Sequence, residues 1–232
     1  MNGGPRREAG EAWAFRARVE REAARRFERL GAAISAFDPG SPVPALLQRA
    51  AEDERRHAVL CAELCAAYGQ PVDEGVPDEP IAPASLGPRA AVLYEMVAAC
   101  CLTETESVAT LATLLSEEAE PRVREVLHEI ARDEVVHSRM GWAHLAHEAA
   151  VHDVSFLSAW IPSMLSGTVD EGLFTRDEPE PDATALLRHG VLPRSRKREI
   201  FVRTLEEVVL PGLERLGVDA GPARAWLAKR SS

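Results

Sequence analysis

The sequence AEDERRH at residues 51–57 is repeated eighty residues later as ARDEVVH at residues 131–137. Each copy contains the pattern Asp-Glu-x-x-His. Residues three apart lie on the same face of an α-helix, so the Glu and the His of each copy point in one direction. A carboxylate and an imidazole presented together form a pair of metal ligands. The duplication therefore predicts two such pairs on two helices.

Helical phase distinguishes the useful pairs from an accidental one. The sequence has three Glu-x-x-His matches: Glu54/His57, Glu125/His128 and Glu134/His137. The first and the third share their helix faces with apolar residues, which predicts that both point into a core. The second lies about 180° from the third around the same helix, because nine residues advance a helix by about 900°. Its neighbours on that face are charged, so we predict that the second match is exposed.

The same test selects one carboxylate from each of two further helices. Glu20 shares its face with alanines and with Phe27, whereas Glu22 falls among arginines. Glu104 lies among valines, cysteines and leucines, whereas Glu106 falls nearer to threonines. Carboxylates in an apolar core are costly unless metal ions or protons neutralise them. The predicted metal ligands are therefore Glu20, Glu54, His57, Glu104, Glu134 and His137.

Four long segments have helical periodicity, at residues 11–37, 44–68, 88–116 and 121–150. Short loops join the first to the second and the third to the fourth, which predicts two antiparallel hairpins. The link over residues 70–87 is long and rich in proline, which fits a crossover along a bundle. A flexible linker between two domains is the competing interpretation. We expect an all-α four-helix bundle over residues 11–150, preceded by a flexible tail over residues 1–10.

The remaining residues, 151–232, have weaker periodicity. Short helical stretches are interrupted at Pro162 and at Pro211-Gly212. We expect a C-terminal helical extension that packs on the bundle or forms an oligomer contact, such as that of a homodimer.

The pattern of six ligands resembles that of the ferritin-like di-iron carboxylate proteins, and the segment Glu20-x-x-Ala23-x-x-x-Phe27 looks rubrerythrin-like. The resemblance covers about residues 11–150. It implies a ferritin-like bundle with one long crossover and a centre that binds two metal ions.

The resemblance also implies a role for each ligand. Glu54 and Glu134 would bridge the two metals, the two lone glutamates would be terminal ligands, and one imidazole would bind each metal. Asp53 and Asp133 would accept a hydrogen bond from the histidine of the opposite copy. Simple exposed charge is the equally weighted alternative for these two aspartates. No catalytic residue is expected beyond the metal ligands.

Carboxylates combined with two imidazoles suit iron or manganese better than zinc. We expect two iron ions, with manganese or a mixed Fe/Mn pair as the alternative. Such a pair would make the protein an oxidoreductase that activates O2 or peroxide, either to oxygenate a small-molecule substrate or to reduce peroxide with an external electron donor. An iron-storage ferroxidase and a metal-free helical interaction protein are the competing interpretations.

The composition of the chain limits the kinds of partner that we expect it to bind. The 232 residues carry a formal net charge of -10, which disfavours nucleic acid and therefore a tRNA-modifying hydroxylase. No apolar run has the length of a membrane span and the amino terminus has no hydrophobic signal stretch, so we expect no membrane partner and a cytoplasmic location. The four cysteines fall inside helical patterns, where we expect reduced, buried thiols.

Overall fold

The computed structural model describes residues 4–72, 75, 79–169, 171–175 and 182–231 of the chain. The regular elements in these residues are helices, and no strand occurs among them, which confirms the all-α prediction. The α-helices are α1 (Pro5–Phe37), α2 (Val43–Ala67), α3 (Pro88–Met96), α4 (Glu104–Ser116), α5 (Pro121–Val151), α6 (Leu157–Thr168), α7 (Ala183–Arg188), α8 (Arg194–Thr204), α9 (Leu210–Arg215) and α10 (Gly221–Ser231). Two π-helices, Val97–Thr103 and Leu205–Val209, and one 3-10 helix, Glu171–Phe174, complete the order.

The chain forms two compact units, each built from three stretches of sequence. The first unit comprises Met1–Val92, Leu111–Asp133 and Glu180–Pro193. The second unit comprises Leu93–Thr110, Glu134–Pro179 and Arg194–Ser232. The residues after 150 therefore contribute to both units. No helix in the described part of the chain is long and apolar enough to cross a membrane.

Helix α1 begins six residues earlier than the sequence predicts. Gly4 is extended and Pro5 occupies the first turn, where its missing N–H costs no hydrogen bond. Ala9 and Gly10 are buried, and a Cβ added at Gly10 would lie 2.4 Å from Cγ of Gln70 and 3.0 Å from Cβ of Tyr68. The expected flexible tail is therefore wrong for residues 5–10, because this turn packs against the end of α2. Residues 1–3 lie outside the described residues.

Helices α1 and α2 make the core of the first unit. Alanines and larger side chains recur every three or four residues along α1, and Trp13, Phe27 and Ile34 are at most 1% exposed. Helix α1 lies close enough to α2 that a Cβ at Gly31 would be in van der Waals contact with Cβ of Leu47. Each of these large side chains contributes about 1.5–3 kcal/mol by leaving water, so this stripe fixes how the two helices face each other.

The predicted helix over residues 88–116 is not uniform, because a π-helix interrupts it just before Glu104. All residues from Val92 to Leu102 are buried, as expected for an element surrounded on every side. The hydroxyl of Thr103 donates to the carbonyl oxygen of Ala98 at 3.0 Å, five residues back. A π-bulge leaves no periodic signal in a run that is apolar all round, so the sequence did not reveal it.

Close packing within the second unit accompanies this π-helix. A Cβ added at Gly141 of α5 would lie 2.2 Å from Cβ of Cys100, so only glycine allows the two backbones to approach. All four cysteines are free and buried, in line with the expected reduced thiols. Burial raises the pKa of the Cys101 thiol well above its usual value.

In the extension, the break expected at Pro211-Gly212 is instead a change of helix type. The π-helix Leu205–Val209 leads into α9, and Pro211 sits in the first turn of α9, where no hydrogen bond from its nitrogen is needed. A Cβ at Gly212 would lie 2.7 Å from the indole ring of Trp142. Glycine is therefore required at this position for packing. Pro162 likewise lies inside α6 without ending it.

Candidate metal centre

All six predicted ligands are buried. Their exposed fractions are 7% for Glu20, 0% for Glu54, 0% for His57, 6% for Glu104, 2% for Glu134 and 1% for His137. The rejected residues behave as their helical phase predicts. Glu125 and His128 are exposed, Glu22 forms an ion pair with Arg18 at 2.7 Å, and Glu106 accepts a hydrogen bond from Thr110.

In the first unit, Glu20 of α1 meets Glu54 and His57 of α2. One ligand atom from each of the three residues lies within 4.8 Å of the others. The Nδ1 atom of His57 is 3.3 Å from Oε2 of Glu54 and 4.0 Å from Oε2 of Glu20. The i,i+3 spacing places the pair on α2 together, and the apolar stripe of α1 brings the lone carboxylate to them.

The other ring nitrogen of His57 has a partner that fixes the imidazole. Its Nε2–H donates to Oδ2 of Asp133 at 3.1 Å, within the first unit. This bond assigns the proton to Nε2 and leaves the Nδ1 lone pair directed at the two carboxylates. The family resemblance in the sequence implies this contact for Asp133.

Arginines hold Asp133 in its charged form. Arg56 donates to Oδ2 of Asp133 at 2.5 Å, and Arg132 donates to Oδ1 at 3.1 Å. Burial alone would raise the pKa of Asp133, but the hydrogen bonds from Arg132, His57 and Arg56 outweigh it and lower that pKa below its usual value. Asp133 is therefore a charged acceptor for the His57 N–H.

Asp53 lies on the other side of the same guanidinium. Arg56 donates to Oδ1 of Asp53 at 3.0 Å, so one arginine connects the aspartates of both sequence copies. The proposed hydrogen bond between Asp53 and His137 stays a prediction, since these residues belong to different units.

In the second unit, Glu104, Glu134 and His137 form a similar group. One ligand atom from each lies within 4.8 Å of the others, and Nδ1 of His137 is 3.3 Å from Oε2 of Glu134. Glu104 follows the π-helix directly, so the position of its carboxylate depends on that irregular turn.

Hydroxyl groups lie beside the ligands of the second unit. Thr105 and Ser138 each follow a ligand in the sequence, and their hydroxyl oxygens are 2.9 Å apart. Trp142 donates its indole N–H to the Thr105 oxygen at 3.1 Å. Both hydroxyls are buried, so they can exchange a hydrogen bond without competition from bulk solvent.

In both groups a proton or a metal ion must lie between the imidazole and the carboxylate. An imidazole Nδ1 that faces a carboxylate at 3.3 Å needs a proton or a metal ion between them, because two lone pairs at that distance repel. Two carboxylates with one imidazole in each unit form an oxygen-rich donor set, which suits iron or manganese. The residues present therefore fit metal ions as ligands.

An all-α scaffold with buried Glu residues and Glu-x-x-His pairs is typical of ferritin-like carboxylate proteins. The rubrerythrin family model matches residues 14–144, which is more than half of the chain, so the protein belongs to the rubrerythrin family. The match confirms the resemblance found in the sequence. A comparison with curated proteins finds no match.

Sequence reasoning missed several buried polar residues. Two histidines of α5 were not selected by the sequence analysis, and of these the structure exposes His147 but leaves His144 only 7% exposed. Glu148 and Glu95 are each 4% exposed. Spacing in the sequence could have predicted the burial of His144 and Glu148. These residues continue the face of α5 that carries His137, at intervals of seven and four residues.

Proposed function

We propose that the six buried residues Glu20, Glu54, His57, Glu104, Glu134 and His137 hold two metal ions. The observation that carries this proposal is the pair of buried imidazoles whose Nδ1 atoms each face a carboxylate. Membership of the rubrerythrin family supports a di-iron centre in place of two separate ions.

Each ligand has a role in this proposal. His57 and His137 would each supply a nitrogen to a metal, Glu54 and Glu134 would be shared between the two metals, and Glu20 and Glu104 would complete the set of ligands. The side chains packed around the ligands exclude water from them, since the ligands are at most 7% exposed. Asp133 keeps the His57 proton on Nε2, so Nδ1 stays free to bind metal. Iron is the preferred metal, and manganese is the alternative.

The proposed activity is that of an oxidoreductase that reduces peroxide or O2. When bound, two iron(II) ions supply two electrons to the oxidant, and an external donor restores them. The protein holds the ligands rigidly on helices, lets the carboxylates adjust to the change in metal charge, and delivers protons to the buried centre. The helices supply the rigidity, because all six ligands lie on α1, α2, α4 and α5.

The first experiment measures metal content. Purified protein is loaded with Fe(II), Mn(II) or Zn(II), and bound metal per chain is determined by elemental analysis after desalting. We expect about two irons per chain, and we expect the double variant Glu54→Gln/His57→Gln to bind far less. The matched control is Glu125→Gln/His128→Gln, which alters the exposed copy of the same motif and should keep the full metal content.

Protein that stays free of all three metals would refute the proposed centre. A protein that binds two irons is then mixed with hydrogen peroxide or O2 in a stopped-flow spectrometer. Oxidation of the iron by either oxidant, repeated on addition of a reductant, supports the oxidoreductase. Size-exclusion chromatography tests the storage function, because a ferroxidase that stores iron requires a closed shell of many subunits.

A further inference from the structure

The buried face of α5 carries ionisable residues well beyond the metal ligands. Glu134, His137, Gly141, His144 and Glu148 follow one another at intervals of three and four residues, which places them along one side of the helix. His144 is 7% exposed and Glu148 is 4% exposed. Ionisable side chains at such core positions are rare, because burial of a charge is costly.

A third ionisable residue, Glu95 of α3, lies at the same level in the second unit. The helical run through residues 93–110 is antiparallel to α5, since Cys100 faces Gly141 and Thr105 contacts Ser138. Facing residue numbers thus add up to about 241–243, which places Glu95 opposite residues 146–148. Glu95 is 4% exposed. Burial and the charge of Glu95 raise the pKa of the neighbouring Tyr94.

The chemistry of this trio suits the movement of protons. Taken on their own, two carboxylates and one imidazole need two protons for a net charge of zero, and they offer three basic groups to hold them. One basic group is then always empty. A proton can therefore pass between neighbouring groups without the group of three acquiring a net charge, which would be costly in a buried place.

Polar groups continue from the trio toward the metal ligands. His144 lies two helical turns, or about 10 Å, from His137, which is too far for a direct hydrogen bond. The hydroxyl pair of Thr105 and Ser138 lies at the His137 end of this interval, about 9 Å along α5 from His144, and either oxygen can be the donor. A hydroxyl both accepts and donates, so this pair can transmit a proton in either direction.

We propose that Glu95, His144 and Glu148 form a proton relay that supplies the metal centre through the hydroxyls of Thr105 and Ser138. The inference rests on the proposed function. Reduction of one hydrogen peroxide breaks its O–O bond, takes two electrons from the reduced metals and takes two protons, and two water molecules leave. The external reductant replaces the electrons, and the relay replaces the protons from solvent at the Glu148 end of α5.

The test uses the iron-loaded protein and the variants His144→Gln and Glu148→Gln. The matched control is His147→Gln, which removes an exposed imidazole from the same turn of α5. Single-turnover oxidation by hydrogen peroxide is followed in weakly buffered solution with a pH-indicator dye, so that proton uptake and iron oxidation are recorded separately. We expect proton uptake to slow by about 10²-fold in both relay variants, the low end of the range for general acid–base groups.

Iron content should remain at the wild-type value in all three variants. Added imidazole or formate should restore part of the proton-uptake rate in the relay variants, and the solvent deuterium isotope effect should rise. Neither change is expected of a residue that only supports the fold. Glu148→Asp, which keeps a carboxylate, should retain most of the rate and provides a second variant if Glu148→Gln does not fold.

Two outcomes would overturn the relay alone. In one, the relay variants take up protons as fast as His147→Gln. In the other, proton uptake is slow in the relay variants, but added imidazole and formate do not restore its rate, and proton uptake in Glu148→Asp is equally slow. A wild-type protein that binds iron but oxidises it with neither peroxide nor O2 would instead overturn the proposed function, and the relay with it.

Discussion

The two ligand groups start from the same sequence pattern and differ in what surrounds them. In the first unit, regular helices carry the ligands, and charged groups fix His57 through Asp133 and Arg56. In the second unit, a π-helix precedes Glu104, and hydroxyl groups lie beside the ligands. The comparison teaches that a duplicated motif keeps its ligands while its neighbours specialise. We infer that the surroundings of the first ligand group chiefly position an imidazole, whereas those of the second chiefly admit protons.

The largest expected effect is a loss of bound metal, which tests whether the two ligand groups depend on each other for metal binding. If Glu54 and Glu134 bridge, then Glu54→Gln or Glu134→Gln should each release both metals. In contrast, Glu20→Gln or Glu104→Gln should reduce the bound metal to about one ion per chain. Elemental analysis of the four variants measures this. A Glu54→Gln protein that keeps one tightly bound ion would show that each half binds metal independently.

The second prediction addresses the close packing found in the second unit. In Gly141→Ala the new Cβ would lie 2.2 Å from Cβ of Cys100, so the backbones must separate. We expect a loss of about 1–3 kcal/mol in the free energy of unfolding, as is common for overpacked cores. Denaturant unfolding monitored by circular dichroism measures it.

The matched control for Gly141→Ala is Gly167→Ala in α6, where an added Cβ would meet no atom within 4 Å. This substitution should raise the free energy of unfolding by about 0.5–1 kcal/mol, because alanine favours helix over glycine. Equal effects of the two substitutions would mean that Gly141 is not required for packing.

The third prediction tests the charged partners of the first unit. Arg56→Gln should weaken metal binding by about 10- to 100-fold, because Asp133 then orients His57 less firmly. Its neighbour Arg55 provides the control, since Arg55 pairs with Glu28 on the surface and not with either aspartate. Competition with a chelator measures both affinities. An Arg55→Gln protein with the same loss would point to general surface charge in place of orientation.

The smallest expected effect is a change in the pKa of a tyrosine. Each of the two units contains one tyrosine. Burial, and then the charge of Glu120, raise the pKa of Tyr68 to about 12, while its hydroxyl is 3.0 Å from Nδ1 of His189. The pKa of Tyr68 is higher in the folded than in the unfolded chain. The stability it contributes is therefore present below about pH 10, the usual tyrosine pKa, and is lost as the pH rises through about 12.

Ultraviolet titration of phenolate formation in Tyr94→Phe isolates Tyr68, because the chain has only two tyrosines. A midpoint near 10 would mean that the Tyr68 phenol is not buried as described. Substitution of His189 by Asn should bring the midpoint closer to 10 if the hydrogen bond contributes to the shift.

Helical phase was sufficient to predict the burial of Glu20, Glu54 and Glu134, because α1, α2 and α5 are regular over the residues concerned. Glu20 and Glu22 differ by two residues, and this alone separates a core position from an ion pair with Arg18. Helical phase did not predict the burial of Glu95. Nine residues separate it from Glu104, which in a regular helix places the two about 180° apart.

The π-helix between them accounts for this failure. One extra residue in a turn delays the helix by about 100°, so Glu95 and Glu104 lie about 80° apart and both can face the interior. The early start of α1 was missed for a different reason. Gly10 is a weak helix former, and the packing of this turn against Tyr68 and Gln70, just after α2, leaves no signal in the local sequence.

The extra residue in the π-helix Val97–Thr103 also bears on changes in chain length. Shortening this segment by one residue would let it revert to an ordinary α-helix while Glu104 kept its direction. Everything before it would turn by about 100°, and the Glu95 carboxylate would swing toward a different neighbour. A single-codon deletion here would thus separate two properties that point substitutions cannot easily uncouple, the retention of bound iron and the supply of protons to it.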